Sequence, residues 1–348
     1  MPAQAGERED KRSTMPTILY AEDLYPDESV EREVYGPDVR IVWRNVENVA
    51  ELDPADCADV DGLMVLRHWV RAADYGKFPR LRCVVRMGVG TDRIDRAAAA
   101  ERGVMVCNIP DYGTMEVADH AVALALAFRR GIILHHELQR HTPAAPWKAI
   151  FHPTIRRLDV QTFGIIGLGR IGTAAALRAK ALGFRVVFFD PYRPNGADRA
   201  LGIGRAKTLE ELLRQSDVLS LHTPLTPETK GLLGARELAL LPEGAVVVNT
   251  ARGPIIDLDA LGAALKSGKL AAAGLDVLAI EPPVEPVPEL VRAYRAREPW
   301  LEGRLVITPH SAFHTPESWA DIRRKGAETM AAALLTNTPQ NVVTPDMF

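Results

Sequence analysis

Three polar residues have the types needed for acid–base work on a small anion: Arg252, Glu281 and His310. Each follows a short apolar run that reads as a β-strand. Arg252 lies in Thr250-Ala251-Arg252-Gly253 after Ala245–Asn249, Glu281 opens Glu281-Pro282 after Gly274–Val277, and His310 ends Pro309-His310 after Leu305–Thr308. Open parallel sheets bind ligands beyond the carboxyl ends of their strands, so the three groups can converge despite their separation in sequence. Their chemistry is complementary. An imidazole titrates near neutrality and can deliver a proton to an oxygen. A neighbouring carboxylate favours the imidazolium form. A guanidinium grips a carboxylate through two hydrogen bonds and polarises an adjacent carbonyl. With a hydride donor, this set is sufficient to reduce a 2-oxo acid. Taken singly, each residue is an ordinary loop charge or strand-end histidine; the joint placement after three successive strands is what points to catalysis.

The sequence also supplies a place for a hydride donor. Gly167-Leu168-Gly169-Arg170-Ile171-Gly172 follows the apolar run Phe163–Ile166 and opens a helical stretch over Ile171–Leu182. The next strand, Arg185–Phe189, ends at Asp190, 18 positions past Gly172, close to the spacing of about 20 in dinucleotide-binding βαβ units. Gly167 permits the tight turn, Gly169 lets backbone approach a pyrophosphate, and Gly172 lets helix and strand pack closely. The helix N-terminus offers unpaired N–H groups to the phosphates. Asp190 would accept from the ribose hydroxyls and repel a 2′-phosphate, which predicts NAD rather than NADP. Arg193 lies near enough to temper that preference.

These residues require two α/β domains to position them. The first pattern has strands at Thr17–Tyr20, Val39–Trp43, Gly62–Leu66, Leu81–Val85 and Val104–Val106, with helical spacing over Asp92–Arg102. Glu116–Arg140 is apolar and lacks proline, which predicts one long helix suited to bridging domains or lining a dimer interface. A second pattern has six strands, Phe163–Ile166, Arg185–Phe189, Val218–Leu221, Ala245–Asn249, Gly274–Val277 and Leu305–Thr308. Its helices read Ile171–Leu182, Leu209–Gln215, Asp257–Lys266 and Pro316–Leu335. The alternation predicts doubly wound parallel sheets. His141–Pro146 and Glu281–Pro288 are proline-rich and read as loops. The length of 348 residues allows about two domains, and 42 basic against 45 acidic residues give no global attraction to nucleic acid or anionic membrane. Cys57, Cys83 and Cys107 are an odd set without C-x-x-C spacing, read as small buried residues of a reducing compartment. Residues 1–14 are polar and read as a flexible tail without a signal peptide. No apolar run is long enough to span a bilayer, so a cytoplasmic location is expected. His310 and His314 are four apart but follow a strand and precede Pro316, with no carboxylate motif, so no metal is expected. His135 and His136 point to different sides of a helix.

The segments Gly167–Gly172, Asp190-Pro191-Tyr192, Asn249–Gly253, Gly274–Pro282 and Thr308-Pro309-His310 occur in the order found in the D-isomer-specific 2-hydroxyacid dehydrogenase family, which the chain resembles from about residue 17 onward. Ala175–Phe184, Asp190–Tyr192 and Asn341–Val343 resemble the branch containing the C-terminal-binding proteins, the NAD-dependent transcriptional corepressors. The resemblance implies two Rossmann-like doubly wound parallel-sheet domains with the active site in the cleft between them. The substrate domain would be discontinuous, 15–112 plus 317–348, with the NAD-binding domain at 113–316. Arg252, Glu281 and His310 match the catalytic Arg, Glu and His. Asp276 matches an acid contacting the nicotinamide amide, and Thr223, Pro224, Thr250 and Ala251 match cofactor contacts. Thr114 would lie near the nicotinamide. Arg86-Met87-Gly88-Val89-Gly90 matches the loop whose amides bind the substrate carboxylate, with Arg86 reaching it in the corepressor branch. His68, after a strand of the first domain, is a further substrate candidate. The implied activity is NAD-dependent interconversion of a 2-oxo acid and a D-2-hydroxy acid by a homodimer.

Two departures matter. Glu281 and His310 are 29 positions apart, longer than the family's usual separation. The added stretch, with Tyr294 and Trp300, reads as a surface elaboration rather than a lid. Phe313 stands where the corepressors place a tryptophan in the substrate pocket, which favours an apolar substrate side chain over glyoxylate. The alternatives are an NAD(H)-sensing corepressor-like protein with secondary activity, or a phosphite- or formate-type dehydrogenase. Formate enzymes pair their histidine with glutamine, so Glu281 counts against that choice.

Overall fold

The computed structural model describes residues 15–347. The tail expected over residues 1–14 lies outside the described residues. The chain divides into two compact units, 15–112 with 320–347, and 113–319.

The first unit holds five parallel strands: β1 Thr17–Tyr20, β2 Arg40–Trp43, β3 Gly62–Val65, β4 Cys83–Arg86 and β5 Met105–Asn108. Their order is β2-β1-β3-β4-β5. The strands read as unbroken apolar runs because helices cover both faces of such a sheet. Leu19, Leu63, Val65, Val84 and Val106 pack in one core. Arg86 is the last residue of β4 rather than part of a loop. The helix expected over Asp92–Arg102 is shorter, Arg96–Glu101, because the Asp95 carboxylate accepts from Ala98 N–H and starts it there. Cys57, Cys83 and Cys107 are all buried free thiols.

The second unit carries seven strands rather than six: β6 Thr162–Ile166, β7 Arg185–Phe189, β8 Gly204–Arg205, β9 Val218–Leu221, β10 Ala245–Asn249, β11 Leu270–Leu275 and β12 Leu305–Ile307. The extra strand, β8, is two residues long and pairs with β7. The order β12-β11-β10-β9-β6-β7-β8 places β6 beside both β7 and β9. The winding direction reverses there, which is where open α/β sheets bind ligands beyond the carboxyl ends of their strands. Along β10, Val246 and Val248 enter the core on one face, while Ala245 and Val247 enter the core on the other. The first of these faces is covered by the helices Thr114–Arg129 and Arg170–Ala181, whose alanines allow close approach.

The single helix expected over Glu116–Arg140 is two, Thr114–Arg129 and Ile132–Arg140. Gly131 takes φ +65°, and a Cβ there would lie 2.7 Å from Ile155 Cδ1. The segment around Ile155 packs across the break: Arg156 N–H donates to Arg129 O at 3.1 Å. The buried Arg129 guanidinium donates to the carbonyls of Pro153 (3.3 Å), Gly244 (3.1 Å) and Asp217 (2.5 Å). Desolvation lowers its pKa to about 10.

The stretch after Glu281 folds into a helix, Glu289–Arg295, and a turn, Pro299–Leu301. Leu290, Ala293 and Leu301 join the core that holds Leu261 and Leu265. Lys266 Nζ lies 5.9 Å from the Trp300 ring centroid. The stretch is therefore an elaboration packed on this unit. Among the described residues no helix is long and apolar enough to cross a membrane, and no group of three or more His, Cys, Asp or Glu is placed to hold a metal ion.

Candidate active site

The glycine turn joins β6 to the helix Arg170–Ala181. Gly167 has φ +88°, and a Cβ on it would lie 2.8 Å from His222 O. A Cβ on Gly172 would lie 2.0 Å from Gly167 O, so only glycine lets the helix sit this close to the turn. A Cβ on Gly169 meets no heavy atom within 4 Å; its face is turned to open space at the helix N-terminus, beside Arg170 and Ile171. That is the geometry a pyrophosphate needs, with free N–H groups at the positive end of the helix dipole.

Asp190 follows β7. Its Oδ2 accepts from Leu168 N–H at 2.8 Å and its Oδ1 from Tyr192 N–H at 2.9 Å, with Arg193 Nε at 3.9 Å. The acid thus fixes the glycine turn against the end of β7, a role its spacing alone did not reveal. Beyond β9, Thr223 and Pro224 follow His222, a residue that no sequence pattern marks. His222 N–H donates to Ile166 O at 2.8 Å, and its Nε2 pairs with Ser220 Oγ at 2.8 Å. Burial pushes its pKa down to about 4, so the ring is neutral. Its Nδ1, Thr114 Oγ1 and Thr250 Oγ1 are buried atoms without a hydrogen-bond partner. Two of these three orphaned atoms belong to expected cofactor contacts, and a bound dinucleotide would give such groups partners.

Arg252, Glu281 and His310, the residues expected to do acid–base work, lie past the carboxyl ends of β10, β11 and β12. Asn249 shapes the first turn: its Oδ1 accepts from Ala251 N–H at 3.0 Å and its Nδ2 donates to Arg252 O at 2.9 Å. The next residue, Gly253, is pressed against the following loop. A Cβ on it would lie 2.0 Å from Leu278 C and 2.4 Å from Ala279 N. That loop carries Glu281, whose Oε1 accepts from Leu278 N–H at 2.9 Å. Glu281 Oε2 meets His310 Nδ1 at 2.7 Å. The carboxylate accepts the Nδ1 proton, which orients the ring and leaves Nε2 for chemistry. Asp276 is 2% exposed, and its carboxylate accepts from Thr308 Oγ1, Ser311 N–H and Ala312 N–H at 2.6, 2.9 and 3.0 Å. Phe313 lies edge-on to His310 with ring centroids 6.5 Å apart. It also packs on Trp319, 5.6 Å away, whose indole N–H donates to His314 Nδ1 at 2.8 Å. The structure therefore joins Glu281 directly to His310 and couples the Arg252 turn to the Glu281 loop through Gly253.

In the first unit, the Arg86 guanidinium folds over Gly88, where a Cβ would collide with it. Asn108 Nδ2 donates to Val89 O at 2.6 Å and holds the Gly88–Gly90 loop. After β3, the buried Glu22 carboxylate accepts from Leu66 and Arg67 N–H at 2.5 and 2.7 Å. This fixes the loop that carries His68, which is 8% exposed with Nδ1 unpartnered.

The family model described as D-isomer specific 2-hydroxyacid dehydrogenase, NAD binding domain, matches residues 122–312. A glyoxylate reductase from Korarchaeum cryptofilum is 36% identical over 293 residues, covering 83% of this chain and 84% of that protein. A D-3-phosphoglycerate dehydrogenase from Methanocaldococcus jannaschii is 34% identical over 332 residues, covering 94% of this chain; the chain spans only 59% of that relative's length. The structure of an NADPH-dependent glyoxylate/hydroxypyruvate reductase from Sinorhizobium meliloti, in complex with NADP and malonate, aligns with a TM-score of 0.80 at 28% identity, covering 96% of this chain and 98% of that one. The chain belongs to the D-isomer specific 2-hydroxyacid dehydrogenase family, as an NAD-dependent oxidoreductase.

Proposed function

We propose that the protein reduces a 2-oxo acid to the D-2-hydroxy acid, with His310 as the proton donor. The observation that carries this reading is the 2.7 Å pairing of Glu281 with His310 Nδ1 beyond the carboxyl ends of β11 and β12. NADH, when bound, supplies the hydride. Gly167, Gly169, Arg170, Ile171 and Gly172 hold its pyrophosphate, and Thr114, Thr223, Pro224, Thr250, Ala251 and Asp276 line its path to the substrate. Asp190 takes the ribose and makes NAD the preferred form. Arg252 holds the substrate carboxylate and polarises the carbonyl. Arg86, His68 and the Gly88–Gly90 amides are the first unit's carboxylate-binding groups. His310 Nε2 would give its proton to the carbonyl oxygen as C2 takes up the hydride, with Glu281 holding the ring through Nδ1. Phe313 favours a substrate with an apolar side chain.

The test is NADH oxidation with a panel of 2-oxo acids, followed by chiral analysis of the product. His310→Ala is expected to lower turnover by about 10²- to 10⁴-fold while NADH still binds. A variant that turns over near the wild-type rate overturns the assignment. The exposed Ile132, Trp147 and Phe151 support a homodimer, which light scattering checks against the chain mass of 38.1 kDa. Asp190–Tyr192 and Asn341–Val343 support placement in the corepressor-like branch.

A further inference from the structure

His310 adopts φ +52°, a left-handed conformation that an L-residue holds only when its surroundings fix it. Here Asp276 does most of the fixing, with Thr308 O a second acceptor for His310 N–H at 3.0 Å. His310 N–H donates to Asp276 O at 2.8 Å. The next two amides, Ser311 and Ala312, donate to Asp276 Oδ1 and Oδ2 at 2.9 and 3.0 Å. Three successive N–H groups of the histidine's turn therefore end on Asp276. The orientation of that carboxylate is set in turn by Thr308. Its hydroxyl lies 2.6 Å from Asp276 Oδ1, and a carboxylate only accepts, so the hydroxyl proton lies between them. The Thr308 oxygen is then the acceptor for His120 Nε2, 3.2 Å away, which assigns the ring proton of His120 to Nε2. His120 sits on the helix Thr114–Arg129, 188 positions before Thr308.

We propose that Thr308 and His120 are positioning residues for the acid–base histidine, acting through Asp276. This rests on the reading of His310 as proton donor. The relay His120–Thr308–Asp276 fixes the turn from behind, while Glu281 fixes the ring from the front. Loss of the Thr308 hydroxyl removes one of the Asp276 donors and frees the carboxylate to rotate. Ser311 and Ala312 follow it, and the His310 turn relaxes towards an ordinary backbone conformation, moving Nε2 away from the substrate oxygen.

The experiment compares Thr308→Val, which keeps shape and loses the hydroxyl, with Thr308→Ser, which keeps the hydroxyl. Displacement of a reacting group by about 1 Å costs up to about 100-fold. Thr308→Val is therefore expected to lower kcat by about 10- to 100-fold with the KM for NADH within about twofold, and Thr308→Ser to recover most of the loss. His120→Ala is expected to act in the same direction more weakly. In parallel, the full chain is labelled with ¹³C at histidine Cε1, and the His310 resonance is identified by its absence in His310→Gln. Thr308→Val should shift that resonance and Thr308→Ser should not. An unmoved resonance in Thr308→Val overturns the proposal. So does a variant whose kcat holds while the KM for NADH rises, because the relay would then serve cofactor binding. If the wild-type chain reduces no 2-oxo acid, the functional reading fails, and the resonance shift alone decides the positioning role.

Discussion

Replacement of Gly253 by alanine tests whether the Arg252 turn and the Glu281 loop form one rigid catalytic frame. A Cβ at this position would lie 2.0 Å from Leu278 C, 2.3 Å from Leu278 O and 2.4 Å from Ala279 N. Carbon atoms in ordinary contact sit about 3.5 Å apart, so the two segments must separate by more than about 1 Å. Both neighbours are backbone, so no side chain can rotate aside. The φ of Gly253 is not positive, so the effect is one of volume alone. Separation moves Arg252 away from the Glu281–His310 pair, and misplacement on that scale costs about 100-fold in rate, or about 3 kcal/mol. The expected outcome is a fall of about 100-fold in kcat/KM for the 2-oxo acid, with NADH affinity nearly unchanged. Gly169→Ala is the contrast: its Cβ meets nothing within 4 Å, so it should leave the melting temperature alone and weaken NADH binding. Steady-state kinetics and fluorescence titration of NADH separate the two effects. A Gly253→Ala enzyme with kcat and KM within twofold of wild type would refute the rigid-frame argument.

Two further outcomes concern stability. Arg129→Met should cost about 3–5 kcal/mol, because several backbone carbonyls lose a buried cationic donor at once. For a unit of this size that is a fall of roughly 10 °C in Tm; Arg129→Lys should recover little, since an ammonium does not reproduce the planar fork, and a calorimetric shift under 2 °C would contradict this. His222 makes stability fall with acid. Its folded pKa of about 4 lies below the ordinary 6.5, so between those values the unfolded chain binds the extra proton, and stability rises with pH through that window and is flat above it. The effect is worth up to about 3 kcal/mol. Denaturant midpoints at pH 4.5 and 7.5 should differ by less in His222→Asn than in wild type.

Most strands of both sheets were legible because parallel strands covered on both faces are continuous apolar runs; β11, expected at Gly274–Val277, instead spans Leu270–Leu275, because its alanines give no β-branched signal. The glycine turn was legible because a phosphate-binding turn dictates its own glycine spacing. The break at Gly131 was not, since a single glycine inside an apolar helical pattern is tolerated. What ends the first helix is the contact of residues 153–156 with Arg129 and Gly131, which no local pattern encodes. The two-residue strand β8 is too short to show a period. Glu281 and His310 could be placed by their strand ends. Thr308 and His120 could not, because their hydrogen bond joins positions with no local relation, and a threonine at a strand end has no distinctive signal of its own. Asp276 was expected as a cofactor contact; its three hydrogen bonds to the His310 turn became visible only in the fold.

The Glu281–His310 pair is separated by a length of chain that would, if free, dilute one partner with respect to the other. The helix Glu289–Arg295 and the turn Pro299–Leu301 prevent this. Leu290, Val291 and Leu301 are each no more than 5% exposed, and side chains of this kind contribute roughly 1.5–3 kcal/mol apiece when buried. The separation is thereby divided into short tethers pinned to the underlying core, and the closure entropy between acid and base is that of the tethers. The polypeptide can grow at this point, acquiring new surface for recognition, without loosening the pairing of Glu281 with His310.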